Sequence, residues 1–203
     1  PYINSPISAL ALRANGRLVI GGSFPGRIAE WNGQAWTTYP SSLGASPAAI
    51  LAMPNGDVVA TGGPNRVTLF SGATPTATAI GTTLSLGAPA SLLALPNGDL
   101  LAASVLQINS TVVRGVARWD GTQWSPYAPN LTISSMSFSP GGELMATGVT
   151  PYQAPVAPVT GVGRWDGTAW HALGHGFNDA VTGLLAPASG DVIALGRFTN
   201  ASG

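Results

Sequence analysis

The chain has 203 residues, enough to bury one core or to divide into several small repeats that share one. Only 8 % of the residues are charged, against about 25 % in an average soluble domain, and eight Arg balance eight acidic residues with no Lys. That balance supplies no concentrated positive patch for nucleic acid. The absence of Cys removes disulfides, thiolate metal sites and a Cys nucleophile, and no apolar run reaches the ~18 residues of a membrane-inserted span.

Taken from the start, the chain opens at Pro1 without Met or a signal peptide, which suggests a processed product or a fragment. The first strand, a, is Ile7 to Leu12. Asn15-Gly16 follows as a polar-Gly hairpin turn, for which a type I′ geometry is expected because Asn and Gly tolerate positive φ. Strand b runs from Leu18 to Gly22, and its small last residue predicts a bulge or a close backbone approach. Strand c is Arg27 to Trp31, Asn32-Gly33 turns the chain, and strand d begins at Trp36.

This unit repeats. The a–b turn recurs at Asn55-Gly56, Asn97-Gly98, Gly141-Gly142 and Ser189-Gly190, and the small residue ending b recurs as Gly62, Ser104, Gly148 and Gly196. Further a strands are Ala48 to Met53 and Ser91 to Leu95, and further c strands are Arg66 to Phe70, Gly115 to Trp119 and Gly161 to Trp165. Later d strands open at Trp124 and Trp170. The aromatic residue ending c, Trp31, Phe70, Trp119 or Trp165, recurs at intervals of 39, 49 and 46 residues. No helical periodicity is present.

Four antiparallel strands per repeat of this length define a β-propeller blade, which hides its edges by radial packing. A β-solenoid is the alternative, but its coils are shorter and lack two hairpin turns per unit. The expected architecture is therefore all-β, a β-propeller of four-stranded antiparallel blades with four complete repeats and a partial fifth. One propeller domain or segment spans 1–203, with repeats at about 6–46, 47–88, 89–131, 132–179 and a partial 180–203. The fifth repeat supplies strands a and b, about Val181 to Gly196, and its c and d strands are missing.

In an up-and-down blade the a–b and c–d turns lie at one end, and the b–c and d–a connections at the other. The first kind are short and nearly constant here. The b–c connection grows from 5 or 6 residues to 12 and 14 in the third and fourth repeats, so Val105–Arg114 and Val149–Thr160 are expected to be variable loops. Such loops on a constant scaffold are where binding usually resides. Gln107, Asn109, Arg114, Tyr152 and Gln153 are the ligand-binding candidates they carry.

The combination of Gly21-Gly22-Ser23-Phe24, Asn97-Gly98-Asp99-Leu100, Trp165-Asp166-Gly167-Thr168-Ala169-Trp170 and Gly196-Arg197-Phe198-Thr199-Asn200-Ala201-Ser202-Gly203 resembles large secreted bacterial proteins with kelch-like propeller repeats. A fungal cortical polarity marker has similar units. The resemblance covers essentially the whole chain. It implies a propeller fold and an extracellular or cell-surface location, and it implies no one activity. The match to kelch proper is looser, because the paired Gly survives only as Gly21-Gly22 and Gly62-Gly63.

The residue types that could carry chemistry point mainly to structure. The pairs Trp31/Trp36, Trp119/Trp124 and Trp165/Trp170 fall on one face of each c–d hairpin, and at a fixed scaffold position they read as blade fasteners rather than a sugar-stacking platform. Asp57, Asp99, Glu143 and Asp191 follow the a–b turns, and Asp120 and Asp166 sit in the c–d turns. Spread one per blade, they suit turn chemistry or pairing with Arg118 and Arg164 better than two-carboxylate hydrolysis. His171 and His175 lie on strand d and the loop after it, with only Asp179 near as a third metal ligand. There is no Gly-x-Ser-x-Gly elbow and no phosphate-cradling loop. Asn109, Asn130 and Asn200 head N-glycosylation sequons.

The leading expectation is thus a non-catalytic exported propeller acting as a structural, adhesive or protein-interaction module, with no cofactor and no metal. Its incomplete last blade would recruit a protein partner or another copy of the chain. The second is a carbohydrate-binding propeller using the variable loops, and the third a propeller enzyme acting on sugars.

Overall fold

Turn chemistry sets the strands. In the computed structural model, which describes residues 3–40, 43–63, 67–72, 74–80, 90–108, 111–149, 160–187 and 189–202, Arg13 N–H donates to Arg17 O and Gly16 N–H to Arg13 O, each at 2.9 Å. The same two bonds recur between Met53 and Asp57, Leu95 and Asp99, and Ser139 and Glu143. Gly16, Gly56, Gly98 and Gly142 take φ between +78° and +92°. The preceding Asn residues do not, since the described non-glycine residues at positive φ are Arg27 and Asn130. The turns are therefore three-residue loops closed by a left-handed Gly, not the expected type I′ turns. Asn15, Asn55 and Asn97 act through their side chains instead, each Oδ1 accepting the amide two residues on at 3.0–3.2 Å.

These turns join β1 (Ile7–Leu12), β2 (Leu18–Gly22), β3 (Ile28–Trp31) and β4 (Trp36–Thr38) into one sheet in that order, and β5 (Ile50–Ala52), β6 (Val58–Thr61), β7 (Val67–Ser71) and β8 (Thr76–Ala79) into the next. The third contains β9 (Ser91–Ala94), β10 (Leu100–Ile108), β11 (Thr111–Trp119) and β12 (Trp124–Pro129). The fourth contains β13 (Thr132–Phe138), β14 (Leu144–Val149), β15 (Thr160–Trp165) and β16 (Trp170–Ala172). Next, β17 (Gly176–Phe177) pairs with β20 (Ala201–Ser202), and β18 (Val181–Leu185) with β19 (Ile193–Gly196). The fold is a β-propeller with four complete blades and a partial fifth. No helix occurs among the described residues. By Cα packing the chain forms two compact units, Pro1–Leu100 and Leu101–Gly203.

One expected loop is strand. The residues around 105–114 continue β10 to Ile108 and start β11 at Thr111, because Val105, Ile108, Thr111, Val112 and Val113 are β-branched and favour a pleated ladder. The other, 149–160, lies outside the described residues from 150 to 159.

The small residue ending strand b is required by backbone. A Cβ at Gly22 would lie 2.3 Å from Pro6 O, one at Gly148 2.1 Å from Thr132 O, and one at Gly196 2.1 Å from Ala180 O. In these same blades the a–b register shifts beside that glycine, so that Ser8, Ser134 and Thr182 are each left without a Cα partner. Each is the extra residue of a bulge.

In the first unit, one face of the first blade packs on the second blade. Val19, Ile28 and Tyr39 are buried against Ile50, Val58 and Phe70, with Ala9 and Ala11 against them. On the opposite face Ile20, Phe24 and Ala29 form a second cluster with Leu18 and Trp36. Apolar neighbours on both faces are why β2 reads as an unbroken apolar run rather than an alternation.

One charge is buried at the first of these faces. Glu30, 6 % exposed, accepts from Arg13 at 2.6 Å, Arg17 at 2.9 Å and Tyr39 Oη at 2.6 Å. Burial alone would raise its carboxyl pKa, but the bonds from Tyr39, Arg17 and Arg13 outweigh that and lower it. Burial, with the Glu30 hydrogen bond next, raises the Tyr39 phenol well above its usual range. Arg13 Nη2 also donates to Gly56 O, so the cluster ties the first blade to the a–b turn of the second. Replacing Glu30 with Ala leaves Arg13 and Tyr39 unmatched and is expected to cost about 3–5 kcal/mol in urea unfolding. The wild-type contribution is present above the ordinary carboxylate pKa and is lost as pH falls through the lowered value, so the Ala variant should show a flatter acid limb.

Candidate functional site

The three Trp pairs sit where the two-residue c–d turns place them. Trp31 is opposite Trp36, Trp119 opposite Trp124 and Trp165 opposite Trp170, with ring centroids 5.3, 5.6 and 5.4 Å apart and planes tilted by 46–54°. The d-strand member is the deeper one in the later blades, Trp124 at 3 % and Trp170 at 5 % exposure. Trp170 Nε1–H donates to Pro129 O at 2.9 Å, a bond from the fourth blade back to the third. In each pair the two rings pack on one another, and Trp31, Trp36, Trp119 and Trp165 are half-buried.

The acidic residues hold turns. Asp120 Oδ1 accepts from Thr122 Oγ1, Gln123 N and Thr122 N at 2.7–2.9 Å, and these bonds, the Thr122 hydroxyl first, lower its pKa to about 2. Asp166 Oδ1 repeats the arrangement with Ala169 N, Thr168 N and Thr168 Oγ1, and its Oδ2 meets His171 Nε2 at 2.6 Å, so its pKa is lowered further. In the first blade Asn32 Oδ1 does the same for Gln34 N and Ala35 N at 2.9 Å. The partner of Arg164 is Glu143, at 2.6 Å, rather than Asp166, because the two lie on the adjacent strand b and strand c sides of the sheet. No group of three or more His, Asp or Glu able to hold a metal occurs among the described residues.

A cleft of about 640 Å³ opens at the b–c and d–a end of the fourth blade. It lies between the starts of β13 and β18, with Gly148 and Gly161 on the strands beside it. Its apolar side is Ile133, Phe177 and Val181, and its polar side Thr132, Asn178 and Asp179. Phe177 is held edge-on to Phe198 at 4.7 Å. Gly161, at φ +100°, makes room for that ring, since a Cβ there would meet Phe177 Cδ2 at 2.2 Å. Asn178 Oδ1 accepts from Thr199 N and Asn200 N at 3.0 Å, and its Nδ2 donates to Thr199 Oγ1 at 2.9 Å. Asp179 Oδ1 takes the Ala180 amide at 2.6 Å and faces Arg197 at 3.7 Å.

Of the ligand-binding candidates read from sequence, the two described ones, Gln107 and Arg114, do not line this cleft. Gln107 and Arg114 lie within β10 and β11, and Asn109, Tyr152 and Gln153 are outside the described residues. Of the sequon asparagines, Asn130 is exposed at φ +70° and Asn200 is exposed, while Asn109 is outside the described residues. His171 and His175 are both exposed. The residues missed are Phe177 and Asn178, and Asp179 was read only as a possible third ligand beside His171 and His175. Sequence carried no signal for them beyond a glycine at 161, where strand c opens, whose approach to Phe177 is seen only in the structure.

No protein-family model matches the chain, and no curated protein sequence does. Solved structures do. An extracellular domain from B. thetaiotaomicron matches at TM-score 0.62 and 12 % identity, over 96 % of this chain and 27 % of that one. Virginiamycin B lyase from Staphylococcus aureus matches at 0.60 and 13 %, over 95 % of this chain and 78 % of that one. A gluconolactonase from Xanthomonas campestris matches at 0.65 and 17 %, over 94 % and 69 %. At these identities the likeness is one of fold. The chain spans about a quarter of the first structure's length and about two thirds to three quarters of the other two.

Two variants test the assignments. Trp170→Phe keeps an aromatic ring but loses the bond to Pro129 and part of the buried indole, with an expected loss of about 2–3 kcal/mol in denaturant unfolding. A lowered carboxyl pKa adds stability above the unfolded value that disappears as pH falls through the folded one. Asp120→Asn, which copies Asn32, should therefore keep the thermal midpoint near pH 7 and weaken its fall between about pH 4 and pH 2, whereas Asp120→Ala lowers the midpoint throughout.

Proposed function

We propose that this chain is a non-catalytic propeller module of an exported or cell-surface protein, working by holding a protein partner or another copy of itself. The observation that supports this is the engagement of all eight acidic side chains. Asp57 and Asp99 bond Asn55 and Asn97 within their turns, and Asp191 bonds Ser189. Asp120 and Asp166 hold c–d turns, Glu30 sits in its buried cluster, and Glu143 and Asp179 pair with Arg164 and Arg197. Each carboxylate acts where it stands, and acid–base hydrolysis needs two that converge with different environments. The kelch-like ancestry, the surface location and sugar attachment at Asn130 or Asn200 belong to this same reading.

The cleft beside Phe177 favours a second reading, a carbohydrate-binding propeller. A ring edge, an amide and a carboxylate around a space of about 640 Å³ suit a small neutral sugar. The gluconolactonase among the fold neighbours keeps a propeller enzyme acting on sugars as the third.

A glycan array and a panel of lactone and glycoside substrates separate the three. The module reading expects neither binding nor turnover. Glycan binding abolished by Thr132→Arg, which fills the cleft from an exposed position, would establish the second reading instead. Turnover lost with Asp179→Asn would establish the third.

A further inference from the structure

The first blade departs from the repeat in its charges, and the departures meet at one spot. The residue that opens its a–b turn is Arg13, where the next three blades have Met53, Leu95 and Ser139. After the turn glycine comes Arg17, where they have Asp57, Asp99 and Glu143. Before the aromatic end of strand c comes Glu30, where they have Leu69, Arg118 and Arg164. The fourth blade pairs Glu143 on strand b with Arg164 on strand c, one charge to one. The first blade reverses that pair as Arg17 with Glu30 and brings Arg13 to the same carboxylate. Two Arg and one Glu leave these three positions at +1, whereas those of the third and fourth blades sum to zero and those of the second to −1.

The period of a strand puts these groups on one face. Glu30 is registered with Val19 on one side and Thr37 on the other, and Arg17 lies two residues from Val19. Arg17, Glu30, Thr37 and Tyr39 therefore share the face of the first blade that packs on the second. A cavity of about 130 Å³ opens at the turn end of that face, its walls including Arg13, Arg17, Glu30, Thr37 and Tyr39 and, from the second blade, Pro75. Sites for whole small molecules are roughly 300–1,000 Å³, so this one suits a single functional group.

Glu30 does not use up the donors around it. Its two oxygens accept from Arg13, Arg17 and Tyr39. Among the described side-chain bonds Arg17 gives only Nη1, which leaves its Nε and Nη2 edge. That edge is the one that grips a carboxylate through two parallel bonds. Arg13 Nε is buried with no hydrogen-bond partner, so the second guanidinium also carries more donor capacity than Glu30 takes. The Arg17 side chain is 51 % exposed, so an incoming group can reach it. No carboxylate of the chain is left to fill the place, since all eight are engaged elsewhere or, as Glu30, already form its floor.

We propose that this cavity is a carboxylate-binding site filled by an acidic side chain of the protein partner, gripped by Arg17 with Thr37 beside it. This states the chemistry of the partner in the module reading and rests on that reading.

A ¹⁵N-labelled chain titrated with a capped tripeptide carrying one glutamate, with its glutamine analogue and with sodium acetate tests it, the Arg17 Nε–H and Tyr39 amide signals being followed. The glutamate peptide should shift both signals to saturation, and the glutamine analogue should leave them in place. Arg17→Gln should weaken binding about tenfold. Because that variant also loses a bond to Glu30, Thr37→Glu is the second one. It leaves every arginine bond in place and sets a tethered carboxylate in the cavity from an exposed position, and it should abolish binding with unchanged melting. Equal shifts from the two peptides, or unchanged binding in either variant, overturn the proposal. Acetate binding without peptide binding overturns the partner's side chain as the occupant. No shift with any probe overturns the site and leaves the module reading standing, because a partner can be held elsewhere on the surface.

Discussion

A blade is a sheet with two apolar faces, and each face must be covered by a neighbour or left against water. That requirement governs the chain at every scale. It makes β2 apolar along its whole length, with Val19 and Ile28 turned to one cluster and Ile20 and Ala29 to the other. It holds Gly21 at a size that Pro47 and Ile50 can meet.

The polar groups fit around this packing in two ways. Those that recur in the four complete blades are local: an Asn or Asp oxygen gathers amides of its own turn. Those that occur once are bridges, and the Glu30 cluster is the deepest. Its proton distribution is fixed by both shifts, since a lowered Glu30 and a raised Tyr39 keep the charge on the carboxylate and the hydrogen on the phenol. Removing the carboxylate from water is costly, and three donors on one side chain offset that cost. Arg13 then connects the cluster to the Gly56 carbonyl, so a buried charge serves the register between two blades.

What the sequence made legible followed from repetition. Polar-Gly pairs marked the hairpins, Trp at fixed spacing marked the c–d register, and a small residue at the end of strand b marked a close approach that Gly22, Gly148 and Gly196 do make. The turn class is not legible, because Asn contributes a side-chain oxygen there rather than backbone freedom. The count of residues between strands b and c suggests a loop, whereas β-branched residues such as Val105, Ile108 and Val112 extend β10 to Ile108 and open β11 at Thr111. The cleft and the Glu30 cluster were not legible, because each is assembled from residues that appear once and meet only through packing: Phe177 against Gly161, Arg13 and Tyr39 against Glu30.

The c–d turn has a consequence for how the protein ages. Asn32 precedes Gly33, the dipeptide in which an asparagine side chain most readily loses ammonia to become aspartate. Asn32 uses only its Oδ1 in the turn, and Asp120 and Asp166 perform that service as carboxylates. Hydrolysis of Asn32 to Asp would therefore turn the first blade's corner into the corner of the third and fourth, changing the charge of the chain and not its shape. The isomerised product, with an extra carbon in the main chain, would move that oxygen away from the Gln34 and Ala35 amides, so damage at this site divides into a harmless branch and a disruptive one.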